Sequence, residues 1–282
     1  MESRSPIQFQ RTRIAPTPSG YLHLGNAYSF ALTASIARKY GAKVLLRIDD
    51  LDRERVNPLY VQDVFDTLNF LGIEWDEGPR NMTEYQEQYS QIYRMDSYRG
   101  MLAKLQDLKA VFACTCSRAQ VLAASPSGIY PGTCRHKNIP LDSPGVTWRL
   151  DTSKEETLHV FSPDGKHKEA MLPGAMQYFV VRKKDGFPAY QLASLADDVH
   201  FGIDLIVRGA DLWDSTLAQL YLARILGLRE FEQVRFHHHS LKLAPNGQKL
   251  SKSAGDTSIQ FLRRNGMTAD EIYRSIGYIL KD

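Results

Sequence analysis

Two stretches of the chain carry residue types that suit phosphate chemistry, and a third suits a metal. The first is Arg13-Ile14-Ala15-Pro16-Thr17-Pro18-Ser19-Gly20-Tyr21-Leu22-His23-Leu24-Gly25-Asn26. An apolar run ends at Ile14, two prolines with a serine and a glycine force a tight loop, and an Ala/Leu/Ile-rich helical pattern starts after Asn26. A strand–loop–helix of this kind leaves backbone N–H groups at the helix start, where an anion can sit. Gly20 and Gly25 permit close approach of a ligand to the backbone. Asn26-Ala27 stands where a P-loop needs Lys and Ser/Thr, which argues against that motif; His23 offers a donor to phosphate instead. The second stretch is Lys249-Leu250-Ser251-Lys252-Ser253, after the turn signal Pro245-Asn246-Gly247. Its two lysines and two hydroxyls suit charge building up on a triphosphate. The third is Cys114, Cys116 and Cys134, all the cysteines of the chain crowded into one short span, which favours a structural zinc site. Three thiolates leave one of four positions to fill, and His136 is a physical candidate.

The elements that must position these groups follow the same order. Gln8 to Ile14 reads as a strand, Gly25 to Tyr40 as a helix stopped by Gly41, and Lys43 to Ile48 as a buried parallel strand. This βαβ opening places ligands at the carboxyl ends of its strands, where Asp49-Asp50-Leu51-Asp52-Arg53 also lies. Asn57-Pro58 starts a second helix, as cap and first position, and Gly72 closes it. The pattern from about Glu84 to Lys109 predicts one long helix with Ile92, Met95, Leu102 and Leu105 buried. Val111–Ala113 and Gln177–Val181 read as strands around a loop-rich span. Ile203–Gly209 reads as a buried strand. Asp214 or Ser215 caps the helix that Gly227 closes, and Phe236–Leu243 is the last strand. Thr268, with Glu271 three residues on, caps a terminal helix running to Lys281. His237-His238-His239 looks metal-like, but neighbours on a strand face opposite ways, which favours a structural reading.

Composition sets the bounds. The chain has 282 residues, 43% hydrophobic and 24% charged, with a formal charge of +3 that is too small to argue for nucleic-acid binding by itself. No apolar run approaches the roughly 18 residues that would span a membrane. The N-terminus lacks an apolar signal core, and three cysteines suit a reducing cytoplasm.

His-Leu-Gly-Asn early and Lys-Leu-Ser-Lys-Ser late resemble the two signatures of class I aminoacyl-tRNA synthetases. Arg13-x-Ala-Pro-Thr-Pro-Ser-Gly is similar to the glutamyl branch in particular. The resemblance runs from Arg13 to about Ser253 and implies an α/β fold: a Rossmann-like nucleotide-binding fold with an inserted zinc-bearing subdomain and a short helical C-terminal segment. The implied layout is 1–105 and 187–240 for the two halves of the catalytic domain, 106–186 for the insertion, and 241–282 for the signature loop and final helix, with no anticodon-binding domain. Bacterial glutamyl-tRNA synthetases carry a helical anticodon-binding half after the second signature, and a short branch of the family lacks it. That branch activates glutamate with ATP and places it on queuosine in the anticodon of tRNA(Asp).

On this resemblance His23 and Lys252 are catalytic, and Gly25, Asn26, Lys249 and Ser251 join them at ATP with Mg2+. Glutamate falls to Arg13, Ala15, Thr17, Asp49, Tyr190 and Arg208. The second strand of the family ends Arg-Ile-Glu-Asp; here it reads Arg47-Ile48-Asp49-Asp50, with aspartate where the substrate amino group needs an acid. A bland alternative for Asp49 is a pairing with Arg47 or Arg53. Asp197-Asp198 resembles an acidic pair that would help fix Tyr190 and Arg208. The short branch uses Cys-x-Cys followed by Tyr-x-x-x-Cys, which makes Tyr130, in Tyr130-Pro-Gly-Thr-Cys134, the fourth zinc ligand beside Cys114, Cys116 and Cys134. The implied partners are glutamate, ATP and queuosine-bearing tRNA(Asp), for a cytoplasmic monomer. A truncated synthetase charging an acceptor end, and a non-catalytic glutamate or RNA sensor, are the competing readings.

Overall fold

Proline and glycine punctuate the chain into short elements. The computed structural model describes residues 7–241 and 258–278. In order, the elements are β1 (Arg11–Ile14), α1 (Leu24–Tyr40), β2 (Lys43–Leu46), α2 (Pro58–Phe70), α3 (Met82–Glu84), α4 (Met95–Asp107), β3 (Val111–Cys114), α5 (Arg118–Ala124), β4 (Thr147–Leu150), β5 (Leu158–Phe161), β6 (His167–Ala170), β7 (Val180–Arg182), α6 (Tyr190–His200), β8 (Leu205–Gly209), α7 (Trp213–Leu226), α8 (Arg229–Glu232), β9 (Arg235–His239), α9 (Ile259–Arg264) and α10 (Ala269–Ser275). They fall into two units: Met1–Tyr93 with Ile203–Asp211 and Phe236–Asp282, and Arg94–Gly202 with Leu212–Arg235.

The first unit is α/β. β1 and β2 pair in parallel across α1, with Arg13 opposite Leu45. Asp204, at the entry to β8, accepts hydrogen bonds on its carboxylate from the backbone N–H groups of Gln10 and Arg11, at 2.8 and 3.0 Å. On its other side β2 meets the segment around Glu77, through Leu46 N–H to the Glu77 carbonyl at 2.9 Å. The core joins Ile14, Phe30, Leu46, Ile48, Val64, Phe65 and Leu68 to Ile259, Ile272 and Tyr273 of the last two helices. The caps follow the sequence. Asn57 accepts from Leu59 N–H with Pro58 in the first turn, Gly41 ends α1 in the left-handed conformation, and Thr268 and Glu271 cap α10 reciprocally.

Four expectations are corrected, the first being the terminal helix to Lys281: α10 ends at Ser275, and Gly277 turns left-handed at φ 61°. The long helix over 84–109 is broken into α3, a π-helical turn (Tyr85–Tyr89), a 3-10 turn (Gln91–Arg94) and α4. The break at Ser90 comes from Asp50, whose buried carboxylate takes the Ser90 hydroxyl and the Gln91 backbone N–H out of helical register. Ile92 is exposed as a result, while Met95, Leu102 and Leu105 are buried. The strand over Gln177–Val181 shrinks to β7, because Tyr178 sits at φ 51°, where no ladder continues. Neither Asp214 nor Ser215 caps α7: a 3-10 turn over Ala210–Leu212 runs straight into the helix, and Leu212 holds the cap position without a side-chain bond.

The second unit is α+β. β3, β4 and β7 form an antiparallel sheet, and β5 and β6 form an antiparallel hairpin. Asp197 of α6 is fully buried and is taken up by the fork of Arg94, at 2.7 and 3.0 Å, and by the Tyr98 hydroxyl at 2.6 Å. The acid expected to help fix Tyr190 therefore locks α4 to α6.

Candidate active site and metal cluster

The loop after β1 is drawn tight by backbone bonds: Asp49 N–H to the Pro16 carbonyl and Arg47 N–H to the Ile14 carbonyl, both at 2.9 Å. It enters α1 at His23, which is the helix cap. The His23 Nδ1 accepts from Gly25 N–H at 3.1 Å, and Asn26 Oδ1 accepts from His23 N–H at 3.0 Å. A ring that accepts at Nδ1 carries its proton on Nε2, which leaves that N–H as a donor. Asn26 thus shapes the loop with its side chain. A side chain on Gly20 would meet open space.

Lys249, Ser251 and Lys252 lie outside the described residues. The chain on both sides of them is placed. Leu241 approaches Gly209 after β9, and Ser258 bridges His23 in antiparallel fashion, with Ile259 N–H on the Leu22 carbonyl at 2.7 Å. The flank after the second signature thus sits against the first, while the flank before it sits against β8.

Arg13 and Arg208 are brought together although far apart in the chain. Both are buried, and the Arg13 Nη1 donates to the carbonyl of Val207, the residue before Arg208, at 3.4 Å. Arg208 lies over the Phe236 ring at 5.4 Å. Asp49 is also buried at this sheet edge, held by both donors of the Arg47 fork. Its neighbour Asp50, fully buried, accepts from Tyr85 at 2.7 Å, Arg53 at 2.8 Å, Ser90, and Gln91 N–H at 2.8 Å. This scaffold for the Asp49 loop was missed from sequence, because its donors arrive from residues 85–91. Ala15 and Thr17 are partly exposed on the same loop. Tyr190 opens α6 in the second unit and is 44% exposed.

His239 is structural. Its Nε2 is 3.2 Å from the Ser29 hydroxyl, its Nδ1 3.1 Å from the Ser240 carbonyl, and its ring packs edge-on to Tyr28. His238 stacks beside Phe236.

The three cysteines converge. Their sulfurs all lie within 4.8 Å of one another, with Cys116 and Cys134 at 3.6 Å. Tyr130 is packed among them, its hydroxyl 3.3 Å from the Cys114 sulfur and accepting from Cys134 N–H at 2.8 Å. His136 is exposed and stands outside the group. Burial alone would raise the Cys134 thiol, but hydrogen bonds from the Thr115 backbone, Tyr130 and Cys116 outweigh it and bring it down to about 6. Cys116 is pushed up to about 11 by burial and by its bond to Cys134. Neighbouring sulfurs that cannot all ionise together are what a soft cation would relieve, and three sulfurs with one phenol oxygen match a four-coordinate set. The chemistry of the donors fits zinc.

Comparison with known proteins places this geometry. The family described as "tRNA synthetases class I (E and Q), catalytic domain" matches residues 10–97 and 150–278. The intervening residues, outside the match, hold the cysteine cluster. A "Glutamyl-Q tRNA(Asp) synthetase" of Symbiobacterium thermophilum is 36% identical over 279 residues, covering 95% of this chain and 85% of the relative. One of Pseudomonas aeruginosa is 39% identical over 241 residues, covering 86% of this chain and 76% of the relative. Among solved structures, the glutamate-tRNA synthetase of Elizabethkingia anophelis shares the fold, with a TM-score of 0.72 at 23% identity over 92% of this chain; the chain spans 54% of that protein's length. The fold agrees with these matches, and they establish that the chain belongs to the class I (E and Q) tRNA synthetase family, in its glutamyl-Q tRNA(Asp) synthetase branch.

Proposed function

We infer that the chain activates glutamate with ATP and transfers it to queuosine in tRNA(Asp). The observation that carries this reading is the match to relatives of that name over most of both chains. In the first step a glutamate carboxylate oxygen attacks the α-phosphorus of ATP. An O–P bond forms, the bond to the β,γ-unit breaks, and pyrophosphate leaves with its electron pair. In the second step a nucleophile of queuosine attacks the acyl carbon, AMP leaves, and glutamate stays on the RNA. The protein's part is placement and charge stabilisation.

Each residue then has a task. The α1 start, with Gly25, Asn26 and the His23 Nε2 proton, receives ATP phosphates, and Lys249, Ser251 and Lys252 take up the charge that develops on pyrophosphate. Arg13 and Arg208 bind substrate carboxylate through forked hydrogen bonds. Ala15 and Thr17 line the loop, Tyr190 packs on the substrate, and Asp49 receives the amino group. Cys114, Cys116, Cys134 and Tyr130 would hold zinc, which when bound braces the fold around β3 and takes no part in the reaction. The domain layout proposed is a catalytic domain in two halves, 1–105 and 187–240, around a zinc-bearing insertion at 106–186, with 241–282 as signature loop and final helix. The enzyme is proposed to act as a cytoplasmic monomer with Mg2+ accompanying ATP.

The test is transfer of labelled glutamate, with ATP, to tRNA(Asp) with and without queuosine. Label on the anticodon base that disappears without queuosine supports the proposal. Label at the acceptor end would replace it with the truncated-synthetase reading, and binding without pyrophosphate exchange would replace it with a sensor.

A further inference from the structure

The β5–β6 hairpin carries a second group of ligating side chains that the glutamyl chemistry does not use. Leu158 and Val160 of β5 are buried, so the alternate residues His159 and Phe161 face outward. The antiparallel register sets His159 opposite Glu169 and Phe161 opposite His167, which places all four on the outer face. The His159 Nδ1 lies 3.6 Å and the His167 Nε2 4.0 Å from the same Glu169 oxygen, Oε1. All three ligating atoms fall within 4.8 Å of one another. Two imidazoles and a carboxylate form a donor set suited to zinc and its first-row neighbours.

We propose that His159, His167 and Glu169 form a second metal site, for a borderline first-row divalent ion such as zinc. Ligands around such an ion at about 2.1 Å stand about 3.4 Å apart in a tetrahedral shell, so the spacings to Glu169, 3.6 and 4.0 Å, close by a few tenths of an ångström and the two imidazoles, within 4.8 Å, close by no more than about 1.4 Å. The three side chains are 42, 52 and 60% exposed, so rotamer adjustment supplies that movement without disturbing a core. Three protein ligands leave one position to water or another ligand, unlike the closed set at the cysteines. Nothing in residues 158–170 read as a motif, because His159 and Glu169 become neighbours only through the hairpin register.

The full chain distinguishes this site from the cysteine cluster. Metal-stripped protein is titrated with zinc and, separately, with cobalt(II), and bound metal per chain is measured by elemental analysis. Wild type is expected to bind one ion more than His159→Gln, His167→Gln or Glu169→Gln. Cys116→Ser is expected to keep that extra ion, and the cobalt–thiolate absorption is expected to remain in the histidine variants. Melting curves in chelator check that the variants fold. Equal metal content in wild type and both histidine variants overturns the proposal. So does loss of the extra ion on replacing His237–His239 instead.

Discussion

Arg47 grips Asp49 with two hydrogen bonds, Nε to Oδ1 at 2.7 Å and Nη2 to Oδ2 at 3.1 Å, and both side chains are buried. Breaking a buried pair from one side typically costs about 3–5 kcal/mol, so Arg47→Met is expected to lower stability by that order in urea unfolding. Arg47→Met with Asp49→Leu is expected to recover much of the loss, because no lone buried charge remains. The double variant is expected to stay inactive in glutamate-dependent pyrophosphate exchange. Recovery of exchange would remove Asp49 from the glutamate site.

His23 has two tasks that substitution can separate. Asparagine is among the best helix caps, so His23→Asn is expected to melt near wild type yet lose most glutamate-dependent exchange. His23→Ala is expected to lose the exchange and also about 1 kcal/mol of stability. Full activity in His23→Asn would reduce the residue to a cap.

Tyr130→Phe removes the hydroxyl that touches the Cys114 sulfur and receives Cys134 N–H. Zinc at the cysteine cluster is expected to leave this variant faster when a chelator is added, and to be missing from that cluster in Cys116→Ser. Unchanged zinc release from Tyr130→Phe would assign the fourth position to another ligand.

Gly78 adopts φ +97°, and a Cβ there would stand 2.1 Å from the Leu46 carbonyl oxygen. The new Cβ would meet unyielding backbone, so Gly78→Ala is expected to strip the Glu77 segment from β2 and sharply lower the melting temperature. A melt within a degree of wild type would show that the edge of β2 can yield.

Glu77 gives the pH dependence a sign. Its hydrogen bond from Arg11 holds the carboxyl below the ordinary value of 4.5, against burial, with Lys43 assisting. The stabilisation is therefore complete above pH 4.5 and is lost as pH falls through the lower, folded value. Both partners are partly exposed, so the pair contributes no more than about 1 kcal/mol. Glu77→Gln is expected to flatten the acid limb of the stability curve, and an unchanged limb would exclude the pair.

Local signals were legible in the chain. The Asn57-Pro58 start, the Gly41 and Gly227 stops and the Thr268–Glu271 box each act within one helical turn, and each appears as read. The cysteine cluster was legible from spacing alone. The break near Ser90 was not, since helical periodicity continues through it and its cause is a carboxylate forty residues earlier. The partners of Asp197 and the convergence on Glu169 depend likewise on which elements pack or pair, and periodicity carries no record of that.

Arg13 and Val207 touch across 194 positions of sequence, and Asp204 holds the start of β1 across a similar span. During synthesis β1 must wait, its outer edge unfinished, until the chain as far as Val207 has left the ribosome. The residues between can meanwhile build the β3–β4–β7 sheet, whose contacts lie much nearer in sequence. The order of assembly therefore runs from the inside of the sequence outward, and the buried Arg13 and Arg208 are among the last groups to find their places.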